Sequence, residues 1–325
     1  LIYIIYMKYD NIIIDVCNLS YKILDDTKKA SSTIIINNKS SYKEFIASFI
    51  RSVDSLVERF GTDSTSVYCL FDNYKSRLDL QNSFLNSGRK AISENYKKNR
   101  KKQPKEWYNS LNVLQYFYEV NEPRYYVAQL QGLEADDLVK PTLCLVEGRS
   151  LLVTSDLDWC KYLSSDVDWL PALTEDPLSV DDTSHKLGFK CTENNIVLYK
   201  ALFGDPSDNI TGIIPETEHN KKMVLDLMKS HEPYDPNDLT LDIRQFSHEK
   251  DADSFWKSLD DNEVISNYRV NLQLVSAINV SPGVFKRELL RGSDRKGVVK
   301  SLREIVGLVS SSKKFTFGNI RRPRS

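Results

Sequence analysis

The chain has 325 residues, of which 41% are hydrophobic and 27% are charged, and its formal net charge at pH 7 is −1. This composition is ordinary for a soluble globular protein that can bury a substantial core, and the near-neutral total says little about binding partners. Five scattered cysteines without a CxxC pair argue against a disulfide framework and against a zinc site.

The apolar start of the chain, Leu1 to Tyr6, is far shorter than the roughly 20 residues that cross a bilayer. It also lacks the basic region and the long apolar region of a signal peptide. We therefore expect a cytoplasmic protein with no membrane partner.

The first 72 residues predict a strand, a crossover helix and a second parallel strand. An apolar run, Ile12 to Ile14, has the pattern of a buried central strand. Apolar residues at helical spacing follow from Phe45 to Phe60, and a second strand ends at Asp72. Further strands are predicted at 125–128 and 151–154, with an edge strand at 167–170. The pattern indicates an α/β fold with a mostly parallel sheet.

Acidic residues recur where predicted strands end, where a helix starts and in one glycine-bearing loop. They are Asp15, Asp72, Glu134, Asp136, Asp137, Asp156, Asp158, Asp205 and Asp208. The carboxyl ends of parallel strands share one edge of a sheet, so we expect these nine side chains to converge. Like charges this close need cations, and oxygen ligands without His or Cys favour Mg²⁺ or Mn²⁺. The pattern predicts a two-metal nuclease site.

Taken singly, each acid has a simpler explanation. Acids are favourable in the first turn of a helix, Asp15 and Asp72 could begin turns, and Asp208 could cap a helix. The recurrence of acids at several points where predicted strands end or loops follow is what favours a shared site.

The stretch from Gly88 to Lys105 contains eight basic residues and one acid, Glu94. A solvated charged loop is the simpler explanation. Because the stretch lies between two groups of predicted metal ligands, we predict an arm that grips phosphates, with Tyr96 stacking on a base. The predicted contacts to nucleic acid are Arg89, Lys90, Lys97, Lys98, Arg100, Lys101 and Lys102.

Two predicted helices, one from Asn194 to Phe203 and one from Lys221 to Lys229, flank a segment that contains Gly204 and Gly212. Short helices joined by such a turn bind nucleic-acid backbones, and Lys221 and Lys222 open the second one. A further helix is predicted from 263 to 278. The tail, 313–325, has five bases and no acid, which gives weak attraction to nucleic acid or aids solubility.

Six motifs occur in an order that resembles the 5′ nuclease superfamily, which includes phage 5′-3′ exonucleases, phage RNase H, the nuclease domain of bacterial DNA polymerase I and flap endonucleases. They span residues 9 to about 230. The motifs are Ile13-Ile-Asp15, Phe71-Asp72, Tyr96-Lys-Lys-Asn-Arg100, Glu134-Ala-Asp-Asp137, Thr154-Ser-Asp-Leu-Asp158 and Gly204-Asp-Pro-Ser-Asp-Asn209.

The resemblance implies a PIN-like α/β core, a helical arch and a helix-turn-helix-like segment that grips duplex DNA. It places a core with a basic arch (80–120) at 9–190, a helical region with its duplex-binding segment near 196–230 at 191–310, and a basic tail at 311–325.

The resemblance also implies which residues act. Five acids match the positions of the first metal site (Asp15, Asp72, Glu134, Asp136, Asp137), and four match those nearer the second (Asp156, Asp158, Asp205, Asp208). Lys97 and Arg100 match arch bases that contact the scissile phosphate. Hydrolysis near a 5′ end or at a flap junction would leave a 3′-hydroxyl and a 5′-phosphate.

Substrates and partners follow from the same resemblance. DNA with 5′ ends or flaps is the expected substrate, with RNA in RNA–DNA hybrids as an extension. A monomer acting in phage replication and primer removal, in the host-cell cytoplasm, is the expected setting, with replication proteins contacting the C-terminal region.

The chain departs from the superfamily after Asn209. Residues 213–219, which include Glu216 and Glu218, replace a glycine-rich turn that usually binds K⁺, so a K⁺ site here is in doubt. Two alternatives therefore stand beside the nuclease: a DNA-binding accessory protein without activity, and a single-strand endoribonuclease on a related fold.

Overall fold

The computed structural model describes residues 7–29, 39–72, 89–99, 103, 105–120, 124–130, 132–230, 262–278 and 280. The predicted contacts Arg100, Lys101 and Lys102 and the basic tail lie outside these residues, as does the side chain of Lys90. Within the described ranges, no helix is long and apolar enough to cross a membrane.

A five-stranded parallel sheet forms the centre, in the order β3-β2-β1-β4-β5. Its strands are β1 Asn11–Asp15, β2 Ser66–Leu70, β3 Tyr125–Ala128, β4 Ser150–Val153 and β5 Val167–Leu170. Ile13 of the central strand lies between Tyr68 of β2 and Leu152 of β4. The parallel sheet and the edge strand at 167–170 were both predicted, and the structure confirms them.

Helices cover both faces of the sheet and continue beyond it. They are α1 Val16–Lys29, α2 Lys39–Phe60, α3 Arg89–Ile92, α4 Lys105–Val120, α5 Ala135–Leu143, α6 Val180–Leu187, α7 Glu193–Phe203, α8 Glu218–Ser230 and α9 Asn262–Val275. Short 3₁₀ helices occupy Leu157–Tyr162 and Pro206–Asp208. Pro141 lies inside α5, near its end, so the acidic first turn of this helix is intact.

The apolar run of β1 is explained by burial on both faces of the sheet, as parallel strands require. Ile13 packs with Leu138 and Trp159 in one core cluster. Ile12 and Ile14 pack in the other, which contains the apolar face of α2 and Trp107 of α4. The helix α4, which occupies the C-terminal part of the predicted arch segment 80–120, therefore belongs to this core.

The sheet brings the predicted acids to one edge. Asp15 is the last residue of β1, Asp72 follows β2, Asp156 follows β4, and α5 opens shortly after β3. A small hairpin of β6 Gly204–Asp205 and β7 Ile210–Thr211 adds Asp205. Gly204 has φ 82°, a left-handed conformation that suits glycine, and it turns the chain sharply from α7 into this hairpin.

We predict that Ile13→Ala lowers the free energy of unfolding by about 2–5 kcal/mol, while Ile13→Val lowers it by about 0.5–1.5 kcal/mol. The reason is that Ile13 is fully buried at the centre of the sheet. Urea denaturation measures both values, with the exposed Met7→Ala as the control. Equal small losses in the two Ile13 variants would contradict this placement of the core.

Candidate metal and nucleic-acid site

Three carboxylates form the centre of the site. Asp136, Asp156 and Asp158 each offer an oxygen, and these oxygens all lie within 4.8 Å of one another. Asp156 caps the 3₁₀ helix Leu157–Tyr162 and accepts a hydrogen bond from the amide of Asp158 at 3.0 Å. Asp136 comes from the first turn of α5. Two separate elements therefore build one group of oxygen donors.

The surroundings of these carboxylates oppose negative charge. Burial, followed by the charge of Asp156, raises the pKa of Asp136 well above its usual value. Burial and Asp158 also raise the pKa of Asp156. Burial and Asp72 raise the pKa of Asp15 to about 8. A cation bound among these groups would remove this penalty, because opposite charge favours the ionised form.

Asp15 and Asp72 tie the ends of strands to neighbouring elements. Asp15 accepts hydrogen bonds from the amide of Asn18 at 2.9 Å and from the hydroxyl of Thr154 at 3.2 Å. Asp72 Oδ1 accepts from the amide of Ala135 at 2.8 Å, at the start of α5. Both carboxylates are thus fixed at the same edge as the central three.

Lys200 was not predicted from the sequence. Its ammonium forms an ion pair with Asp158 and another, at 2.7 Å, with Asp205. Although burial acts to raise the pKa of Asp205, Lys200 holds it below its usual value. Its place in the sequence could have indicated this role, because Lys200 lies in the last turn of the predicted helix that leads directly into Asp205.

A second group surrounds Lys97. Its ammonium lies 2.8 Å from Glu134 Oε2 and 3.5 Å from Asp208 Oδ2. The Tyr96 hydroxyl is within hydrogen-bonding distance of the same two carboxylates, at 3.0 and 2.9 Å. Although burial acts to raise the pKa of Glu134, Lys97 and Arg89 hold it at about 2. Glu134 therefore stays ionised next to its cations.

Two predicted nucleic-acid contacts need correction. The ring of Tyr96 is buried, with only 3% of the residue exposed, so it is not available to stack on a base. Arg89 is 6% exposed, and its guanidinium binds Asp137, Glu134 and the carbonyl of Ser276. Both side chains are used inside the protein instead of on its surface.

Asp137 was predicted as a metal ligand, and in the structure its two oxygens have other partners. Its Oδ1 accepts from Arg89 and from the amide of Ile278, both at 2.8 Å. Its Oδ2 accepts from Arg89 at 3.2 Å and from the amide of Glu134 at 3.1 Å. With four donors around its two oxygens, this buried carboxylate holds α5, Arg89 and the end of α9 together.

Three further predicted contacts, Lys98, Lys221 and Lys222, lie within the described residues. Lys98 and Lys222 are exposed, and the Lys221 ammonium lies 3.2 Å from Glu216. Their contacts with nucleic acid stay a prediction.

Comparison with known proteins identifies the family of this chain. A model of the 5′-3′ exonuclease family, for its N-terminal resolvase-like domain, matches residues 10–188, more than half of the chain. The chain belongs to this family. Flap endonuclease Xni of Shewanella halifaxensis is 28% identical over 130 residues, which are 39% of this chain and 50% of that protein. The chain spans about half the length of the curated Xni relatives it matches.

Solved structures share the fold of this 5′-3′ exonuclease family member. The bacteriophage T5 D15 protein, co-crystallised with metal ions, gives a TM-score of 0.58 at 17% identity, covering 92% of this chain and 99% of that one. A pseudo-enzyme–product complex of the T5 D15 flap endonuclease with DNA and metal ions gives 0.56 at 18% identity, with the same coverage. The family model confirms the resemblance stated from the sequence, and these structures confirm the mostly parallel central sheet flanked by helices.

We predict that Arg89→Met lowers the free energy of unfolding by about 3–5 kcal/mol, because it leaves the buried Asp137 without its cation. The exposed Lys98→Met is the matched control, with an expected change within about 0.5 kcal/mol. Urea denaturation measures both variants. If Arg89→Met kept full stability but bound DNA more weakly, Arg89 would be a nucleic-acid contact after all.

Proposed function

We propose that this protein is a divalent-metal-dependent, structure-selective 5′ nuclease that hydrolyses phosphodiester bonds of DNA near 5′ ends or at flap junctions. The observation that carries the proposal is the group of Asp136, Asp156 and Asp158 oxygens within 4.8 Å of one another, at the carboxyl edge of a parallel sheet. Membership of the 5′-3′ exonuclease family supports the same activity.

The donors suit two hard divalent cations, Mg²⁺ or Mn²⁺, because they are all carboxylate oxygens. One ion would be held by Asp15, Asp72, Glu134 and Asp136, and a second by Asp156, Asp158, Asp205 and Asp208. Asp137 is left out of this set because its oxygens already accept four hydrogen bonds from protein donors. Bound cations would activate the attacking water and stabilise charge on the phosphate.

The two lysines in the site offset the charge of the carboxylates. Lys97 and Lys200 lie against Glu134 and Asp158 respectively, and both side chains are largely buried. With cations held by the carboxylates, the Lys97 ammonium would be available to the scissile phosphate and would stabilise its developing negative charge. Arg100, which matches a base of the family's arch, is proposed to assist it.

Surface bases would bind the rest of the substrate. The proposed arch lies within 80–104, and its bases Lys90, Lys98, Lys101 and Lys102 would contact the phosphate backbone. The duplex would bind to α7, α8 and the hairpin between them, near Lys221 and Lys222. The extended proposal is a cytoplasmic monomer without a K⁺ site that acts in phage DNA replication. There it would remove primers, including RNA in RNA–DNA hybrids, with partner proteins at the C-terminal region.

We predict that a labelled 5′-flap duplex is cut at or near its junction with Mg²⁺, and that EDTA abolishes the cutting. Asp156→Asn is expected to lower the rate by more than about 100-fold, since changes in groups that only support metal ligands already cost 10–100-fold. Folding and DNA binding should be retained. Asp181→Asn, an exposed acid in α6, is the matched control with unchanged activity.

Two outcomes would contradict the proposal. Tight flap binding without cutting by the wild type would favour a DNA-binding accessory protein. Faster cutting of single-stranded RNA than of flap DNA, in a competition between the two, would favour an endoribonuclease.

A further inference from the structure

The 3₁₀ helix Leu157–Tyr162 does more than carry two of the central carboxylates. Its third residue, Trp159, is fully buried, and the indole Nε1–H donates a hydrogen bond to Asp136 Oδ1 at 2.6 Å. The Tyr162 hydroxyl donates to the backbone carbonyl of Asp136 at 3.3 Å. One short segment, Asp156–Tyr162, therefore provides Asp156 and Asp158 and also contacts the third carboxylate, Asp136, which belongs to α5.

This contact limits how Asp136 can orient its carboxylate. The terminal torsion of an aspartate side chain is broad, so packing alone does not select one rotation of its two oxygens. A rigid, buried indole that donates to Oδ1 selects one rotation of this carboxylate. Hydrogen bonds of this kind to ligating groups typically control metal affinity by 10–100-fold.

We propose that Trp159 is a positioning residue that orients Asp136 for divalent-cation binding. The inference rests on the proposed nuclease function, because it concerns the same cation site. The segment Asp156–Tyr162 thus supplies two of the three central carboxylates and orients the third. The same indole is an intrinsic fluorescent probe of the site, since a cation bound at Asp136 alters the charge next to its ring.

A purely structural role for Trp159 makes a different prediction. Trp159→Phe keeps an aromatic ring in the core but removes the N–H donor. A loss of packing would lower the free energy of unfolding, whereas a loss of the Asp136 orientation would lower the affinity for Mg²⁺. Trp169 provides the matched control. It is also buried, at 2% exposed, and its indole donates to the backbone carbonyl of Thr154 at 2.7 Å instead of to a carboxylate.

The experiment is titration of EDTA-treated full-length protein with Mg²⁺ alone, by calorimetry and by tryptophan fluorescence, with urea denaturation of each variant. We expect Trp159→Phe to bind Mg²⁺ about 10–100-fold more weakly than the wild type, and Trp169→Phe to bind it within about threefold. The Mg²⁺-dependent change in emission should persist in Trp169→Phe and be lost in Trp159→Phe. The flap-cleavage rate of Trp159→Phe should recover at high Mg²⁺.

The outcomes separate this inference from the proposed function. Equal Mg²⁺ affinity in the wild type and Trp159→Phe would overturn the role of Trp159 and leave the nuclease intact. Absence of Mg²⁺ binding and of cleavage in the wild type would overturn the function itself. If Trp159→Phe does not fold, Trp169→Phe still decides the matter, because emission unaffected by Mg²⁺ would show that Trp159 does not sense the cation.

Discussion

Repulsion between carboxylates held at one edge of the sheet is the constraint on which the rest of this structure depends. Asp15, Asp136 and Asp156 all have raised pKa values because they are buried beside other acids. A group with a raised pKa in the folded state contributes less to stability as pH increases. Without cations, folding therefore becomes less favourable as pH rises from about 4, where free aspartate titrates, toward about 8, the pKa of Asp15.

Basic side chains lie beside some of the acids in the site. Lys200 pairs with Asp158 and Asp205, Lys97 pairs with Glu134, and Arg89 pairs with Asp137. Asp15, Asp136 and Asp156, in contrast, have raised pKa values. Ionisation is thus unfavourable at the position where the proposed divalent cations would bind, and such shifted pKa values are common at functional sites.

The sheet and the converging acids could be predicted because each depends on local sequence. The Ile12 to Ile14 run, the helical spacing after Phe45 and the acids at strand ends are all visible without tertiary information. The different roles of Asp136 and Asp137 could not be predicted from the motif alone. Successive helical residues point about 100° apart, so one faces the central oxygens and the other faces Arg89.

The roles of individual side chains in the basic stretch 88–105 could not be predicted from the sequence either. Composition predicts affinity for phosphate, but it does not reveal which side chains turn inward. Arg89, Tyr96 and Lys97 reach the site's own acids, and this pairing depends on contacts across more than 35 residues of chain. Lys200 was missed because a lone lysine in a helix is unremarkable until the fold places it between Asp158 and Asp205.

The most direct test of this account is the stability of the wild type and Asp136→Asn in EDTA and in Mg²⁺ at pH 8, measured by urea denaturation. In EDTA, Asp136→Asn should be the more stable protein, because it folds without burying a charge or taking up a proton. Mg²⁺ at 100 times its dissociation constant should stabilise the wild type by about 2.7 kcal/mol and the variant by much less. A wild type indifferent to Mg²⁺, or a variant that is less stable in EDTA, would contradict the account.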